Sequence, residues 1–76
     1  MPSNLPALTA RQVLRALKRA GFVKDRQRGS HQVLVHPLSG NKTVVPVHAG
    51  RTIKKPLLRA IIQDAGLSVA EFLDLV

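Results

Sequence analysis

The sequence lacks cysteine, tryptophan and tyrosine, and it contains only two phenylalanines among its 76 residues. Without cysteine the chain forms neither a disulfide nor a thiolate zinc site, which suits a reducing compartment. The scarcity of aromatic side chains argues against an RRM-type or OB-type platform, because those domains stack bases on aromatic rings. We therefore expect Phe22 and Phe72 in the hydrophobic core.

Long hydrophobic runs are also missing. No apolar stretch approaches the ~20 residues that a membrane span requires. The first six residues lack the basic start and the continuous apolar stretch of a signal peptide. We expect a soluble, cytoplasmic protein without a membrane partner. A chain of this length predicts a single domain over residues 1–76, in which residues 1–7 form a flexible arm.

Acidic residues are few and unevenly placed. The chain contains twelve Lys and Arg residues but only four Asp and Glu residues, which gives a formal net charge of +8. Three of the four acids, Asp64, Glu71 and Asp74, lie in the last thirteen residues. A molecule polarised in this way attracts a phosphate backbone or an acidic protein to its basic side. A surface charged only for solubility is the alternative, but a pI near 11.6 exceeds what solubility requires.

Capping signals predict the first helix. Thr9 and Gln12 have the spacing of a capping box, and Gly21 can take the left-handed conformation that ends a helix. The cations of the polar face are Arg11, Arg15, Lys18 and Arg19. This cationic face either contacts phosphate or is simply solvated, and the sequence leaves both open.

Three extended runs then predict strands at residues 22–27, 30–36 and 42–47. The connections between them are short and contain Gly29 and Gly40, which favours antiparallel hairpins and a three-stranded meander. Pro46 has no backbone donor, so the third strand is expected to end there or to lie at an edge.

The chain is predicted to return to helix after the strands. Pro56 is tolerated only in a first turn, so the second helix begins near Lys54 or Lys55 and stops at Gly66. Ser68 and Glu71 form a second capping box, which opens a short final helix. The predicted fold is therefore α+β, a two-layer α-β-β-β-α arrangement with a short C-terminal helix and a three-stranded antiparallel sheet.

The most informative segment is Gly29-Ser30-His31, which follows the basic stretch 24–28. Histidine is the side chain whose unperturbed pKa lies nearest neutrality, so it can exchange a proton under cellular conditions. Cations beside it are what a polyanion needs. The combination predicts a nucleic-acid site with the means of cutting the strand, although a histidine at a strand start is more often a plain surface residue.

Several landmarks occur together along the chain: Gly21-Phe22-Val23, Gly29-Ser30-His31, His36-Pro37, Val45-Pro46-Val47-His48 and the run 58–68. In this order they resemble the HicA family, over about residues 9–73. The resemblance implies the toxin of a bacterial type II toxin–antitoxin pair, an mRNA interferase with a fold similar to the double-stranded-RNA-binding domain. Two stretches depart from the family pattern. Residues 32–34 lack its frequent second histidine and aromatic residue, and Lys55-Pro56 stands where Gly-Thr is common.

The resemblance also assigns roles. His31 matches the family's catalytic histidine, which implies a metal-independent endoribonuclease that acts on mRNA without a cofactor. A HicB-like antitoxin is the implied partner. It is expected to cover the active face, and the toxin is expected to contact DNA only indirectly, through this antitoxin. The residues expected to bind RNA are Lys24, Arg26, Arg28, Gly29, Ser30 and Lys42. The cations would capture the backbone and stabilise charge, and the glycine and serine would hold the turn that presents His31.

Other assignments remain open at this stage. The same basic surface fits a non-catalytic RNA-binding module, or a cationic subunit that docks an acidic protein. His36 is expected to be a strand-end residue, and His48 would supply a second proton site only if it folds near His31. The three histidines have no zinc-site spacing, so no metal is expected.

Overall fold

The computed structural model describes residues 5–76 of the chain. Its elements in chain order are β1 (Leu8–Thr9), α1 (Ala10–Arg19), β2 (Val23–Arg28), β3 (His31–Val35), β4 (Lys42–Pro46), β5 (Thr52–Ile53), α2 (Lys55–Asp64) and α3 (Val69–Leu73). Strands β2, β3 and β4 form an antiparallel three-stranded sheet with β3 in the centre. The helices pack on one face of this sheet, so the predicted α+β arrangement is confirmed.

The strand pair β1–β5 was not predicted. Leu8 pairs with Ile53 and Thr9 pairs with Thr52, which ties the start of α1 to the segment before α2. Two residues are too few to show an alternation of apolar and polar side chains, so the sequence carries no signal for such a pair.

The helix boundaries follow the predicted capping signals. The Thr9 hydroxyl accepts from the Gln12 backbone N–H at 3.3 Å, and the Gln12 side chain accepts from the Thr9 N–H at 2.9 Å. Ser68 and Glu71 form the second capping box at the start of α3. Helix α2 begins at Lys55 with Pro56 in its first turn, as expected. Pro46 is the last residue of β4, and β4 is an edge strand of the sheet.

Both long helices end in the same way, and the β3–β4 loop contacts both ends. Gly21 and Gly66 have positive φ angles, of 104° and 76°, immediately after the helix ends. The His36 ring lies 3.1 Å from the carbonyl of Ala20, the C-cap of α1, and the Asn41 amide donates to the carbonyl of Ala65, the C-cap of α2, at 3.3 Å. The loop therefore fixes the two helix C-termini against one end of the sheet.

The hydrophobic core lies between the sheet and the helices. Phe22 and Phe72 are both buried in it, as predicted, at 3% and 0% exposure. Leu5 is also buried, at 2% exposure, so this residue of the expected flexible arm is packed in the core instead. The structure thereby corrects the arm prediction at Leu5, while residues 1–4 of the arm lie outside the described residues. None of the helices within residues 5–76 is long and apolar enough to cross a membrane.

Candidate active site

A two-residue turn presents His31. Gly29 has a φ of 58°, whereas Ser30, like every other non-glycine residue in the described part of the chain, has no positive φ. This sign pattern matches a type II′ hairpin turn, which takes glycine at its first central position. The turn makes Arg28 and His31 direct partners across the β2–β3 ladder. Their side chains consequently leave the sheet on the same face.

That face is the one turned away from the helices, and we call it the open face. Leu34 and Val45 belong to the core cluster, whereas Val33, next to Leu34 in β3, is buried at 7% exposure without belonging to it. Because side chains alternate along a strand, His31 and Val33 share the open face. Directly paired residues share a face too. The open face therefore consists of three rows across the sheet: Arg28–His31–Pro46, Arg26–Val33–Val44 and Val23–Val35–Lys42.

The predicted site residues divide into two groups in this arrangement. His31 lies exposed in the first row beside Arg28, and Arg26 is in the second row. Gly29 and Ser30 form the turn itself. These residues lie together at one end of the sheet.

Two predicted cations lie elsewhere. Lys42 pairs with Val35, four residues along β3 from His31, which separates the two rows by about 13 Å. Lys24 pairs with Leu34, so its side chain leaves the sheet on the opposite face. The register also shifts between Lys24 and Arg26, at Asp25. The sequence alone could not separate these cations from Arg26 and Arg28, because a one-residue shift in register moves a side chain to the other face.

His36 has structural contacts instead of a place at the site. It follows the last residue of β3, as predicted, and its Nδ1 accepts from the backbone N–H groups of Leu38 and Ser39 at 3.2 and 3.3 Å. Its Nε2 must then carry the proton and donate to the Ala20 carbonyl. The ring also packs edge-to-face on Phe22, with centroids 5.2 Å apart. These contacts hold His36 at the end of β3 that lies away from His31.

His48, by contrast, lies at the His31 end of the molecule. The Val47 N–H donates to the Ser30 carbonyl at 2.6 Å, which continues the β3–β4 ladder one pair beyond His31–Pro46. His48 is the next residue, it is exposed, and it lines a groove beside Pro46. The groove encloses about 310 Å³ and also contains Arg51, Lys54 and Leu57.

Arg51 and Lys54 were not among the predicted site residues. The available signal is that residues 26–63 contain no Asp or Glu, so every charged group in that segment is basic. In the part of the chain that the structure describes, no cluster of three or more His, Asp or Glu side chains could hold a metal ion.

Comparison with protein families identifies the family to which the chain belongs. The family model described as the HicA toxin of bacterial toxin–antitoxin systems matches residues 10–67 of the 76 residues. The chain belongs to the HicA toxin family. This HicA match runs from the first residue of α1 past the end of α2, and it includes the hairpin that carries His31 and the groove beside Pro46.

The match confirms the family resemblance stated for the sequence. No curated protein matches the chain significantly. Membership of the HicA family makes the protein a toxin of a toxin–antitoxin system, which implies an antitoxin as its partner.

Proposed function

We propose that this HicA toxin is a metal-independent endoribonuclease that cleaves mRNA, with His31 as a proton-transfer group. The observation that supports the proposal most directly is the first row of the open face. An exposed imidazole stands directly opposite an arginine, with a second arginine one row away. A proton carrier beside two permanent positive charges is what cleavage of a phosphodiester without metal requires.

The chemistry uses the RNA's own 2′-hydroxyl as nucleophile. A base removes the 2′-hydroxyl proton, the oxygen attacks the adjacent phosphorus, and the bond to the 5′-oxygen of the next nucleotide breaks. An acid returns a proton to that leaving oxygen, so the products are a 2′,3′-cyclic phosphate and a 5′-hydroxyl. His31 performs one of these two proton transfers. Arg28 and Arg26 stabilise the negative charge that builds up on the phosphoryl oxygens.

The open face also suits an antitoxin. We propose that a HicB-like antitoxin covers this face, and that any contact with DNA is made by the antitoxin. The centre of the face is apolar, with Val33 and Val35 flanked by Val23 and Val44, which are 49% and 41% exposed. Arginines and Lys42 surround this apolar centre. A partner with apolar and acidic side chains would complement the surface and would exclude RNA from His31.

A non-catalytic RNA-binding module is the second candidate function, because the same cations would bind RNA without cutting it. Replacement of His31 separates the two. His31→Ala removes an exposed side chain at the end of a strand, so the free energy of unfolding should change by less than about 1 kcal/mol. RNA cleavage should fall by about 10²- to 10⁴-fold, the usual contribution of a general acid or base. Binding of RNA should persist, and growth inhibition on expression should disappear.

The measurements are a gel assay of RNA cleavage, growth on induction, and thermal unfolding to verify the fold. Arg15→Ala, on the exposed face of α1, is the control and should retain full cleavage. The other two histidines are unsuitable controls, because His36 holds the β3–β4 loop and His48 lines the groove. A folded His31→Ala protein that still cleaves RNA at the wild-type rate would contradict the proposed mechanism. A wild-type protein that binds RNA and leaves it intact would support the binding module.

A further inference from the structure

The groove beside Pro46 contains cations that take no part in the proposed proton transfer at His31. It lies at the outer edge of β4, between the end of that strand and the first turn of α2. Pro46 lines it and is also the direct partner of His31 across the β3–β4 ladder. Neighbouring strands are about 4.8 Å apart. Arg28, His31, Pro46 and the groove therefore follow one another across one end of the sheet.

The groove carries positive charge. Arg51 and Lys54 line it, and both basic side chains are exposed. His48 also lines the groove, beside these two side chains. No acidic side chain lies within residues 26–63, so no carboxylate from the groove's own segment offsets these charges. A polyanion that reaches His31 from β2 would thus meet a second cationic region as it leaves over β4.

The floor and wall of the groove are apolar. Pro46 and Ile53 line it, and Leu57 projects from the first turn of α2 with 42% of its surface exposed. The imidazole of His48 and the guanidinium of Arg51 are planar groups on which a base can stack. Apolar surface beside fixed cations is the combination that a nucleotide requires, since its base and ribose are desolvated while its phosphate needs a positive charge.

We propose that this groove is a second RNA subsite, which holds a nucleotide next to the scissile phosphate. The phosphate would lie against Arg51 and Lys54, and the base or ribose would contact Pro46 and Leu57. The inference rests on the proposed endoribonuclease function and extends it to residues that the catalytic row does not include.

A neighbouring groove on the other side of His48 fits this role less well. It lies between the start of α1 and the loop that follows β4, and among the described residues Arg11 and His48 are the only basic side chains that line it. It also lacks contact with Pro46.

The test uses the full chain with His31→Ala, so that RNA is bound without being cut. Affinity for a short fluorescein-labelled single-stranded RNA is measured by anisotropy over a range of salt concentrations. Adding Arg51→Ala and Lys54→Ala should weaken binding about tenfold at moderate salt. The slope of log affinity against log salt should fall by about 1.4, because each lost single-strand phosphate contact contributes about 0.7.

Two matched controls separate a local effect from a change in net charge or hydrophobicity. The double variant with Arg15→Ala and Lys18→Ala also removes two positive charges, but from the exposed face of α1. It should change affinity by less than about twofold. Leu57→Ser should weaken binding about threefold and leave the salt slope unchanged, because an apolar contact releases no counterion. Leu38→Ser, at a 92% exposed leucine in the β3–β4 loop, should have no effect on affinity.

The failures are distinguishable. If the groove variants bind RNA as tightly as the α1 control, RNA does not occupy the groove and the subsite proposal is overturned. The endoribonuclease proposal would survive that result. Groove variants that keep full RNA affinity but lose binding to an acidic protein partner would reassign the groove to that partner and also overturn the subsite. If His31→Ala itself fails to bind RNA, both proposals fail.

Discussion

At the scale of single residues, the three histidines differ in what their rings contact. His31 is exposed on the open face, His48 is exposed at the rim of a groove, and the ring of His36 bonds to three backbone groups. The sequence shows the same residue type at all three positions. Only His36 has a structural reason to be needed for folding.

His36→Ala should therefore destabilise the protein by about 2–3 kcal/mol. It leaves the Ala20 carbonyl and two loop N–H groups without their partner and removes the packing on Phe22. Urea unfolding at neutral pH measures the effect. His48→Ala is the matched control and should stay within about 0.5 kcal/mol of wild type, because that side chain is exposed. Equal stabilities for the two variants would show that the His36 contacts contribute nothing.

At the scale of elements, the hairpin and the helix ends are defined by glycines that are constrained to different degrees. Gly29 lies in the turn between β2 and β3, and a Cβ there would meet nothing within 4 Å. Gly21 ends α1, and a Cβ there would lie 2.7 Å from Nε2 of His36. A Cβ on Gly66 would similarly collide with the Asn41 amide. The β3–β4 loop thus packs directly on two glycines, which was not foreseeable from their positions in the sequence.

Replacing each of these glycines with alanine should show the difference in thermal unfolding. Gly29→Ala costs only the left-handed backbone conformation, about 1–2 kcal/mol. Gly21→Ala also places alanine at a positive φ, and in addition it displaces His36 from the Ala20 carbonyl. We expect Gly21→Ala to have the lower Tm by several degrees in a domain of this size. A lower Tm for Gly29→Ala would contradict this account of the loop.

The same elements show how far local signals reach. The capping boxes, the three strands of the sheet and the proline positions were predicted because each depends on residues close together in the chain. The β1–β5 pair was not predicted, because its two strands lie far apart in the sequence. The burial of Leu5 was not predicted either. Only part of the site was predicted, again because local patterns do not reveal which distant segments meet. The turn 28–31 is local, whereas Arg51 and Lys54 reach its neighbourhood only through the path of the chain after β4.

At the scale of the whole molecule, we expect charge to control the proposed encounter with RNA. The acid-free segment 26–63 includes the second half of β2, all of β3 and β4, and the groove. Phosphate contacts release counterions, so affinity for single-stranded RNA should fall steeply with salt, with a slope of about −0.7 per contact. Three to six contacts, about −2 to −4 in slope, are expected from the cations at the His31 end.

Replacing Arg26 and Arg28 with Ala should weaken RNA binding for all sequences alike and make the salt slope shallower by about 1.4. Both arginines are exposed on the open face, so the fold should be retained. Anisotropy with RNAs of different sequence measures the effect. A loss confined to particular sequences would mean that these arginines contact bases instead of phosphates.

Excess EDTA should leave RNA cleavage unchanged, because the proposed reaction needs only a proton carrier and fixed cations. Product ends can be identified by treating the fragments with phosphatase and kinase, which distinguish a cyclic phosphate from a free one. Loss of cleavage in EDTA that magnesium restores would contradict the metal-independent mechanism.

The amino-acid sequence was sufficient to predict the order of the three helices and of the three sheet strands, the places where the helices begin and end, the polarity of charge and the family. Each of these depends on short-range patterns or on composition. Tertiary structure decided which cations stand beside His31, since strand register places Arg26 and Arg28 on its face and Lys24 on the other. It also decided that His36 is structural and that His48 borders a cationic groove. The physical reason is that a side chain's neighbours across a sheet are set by pairing between distant segments, which no local pattern encodes.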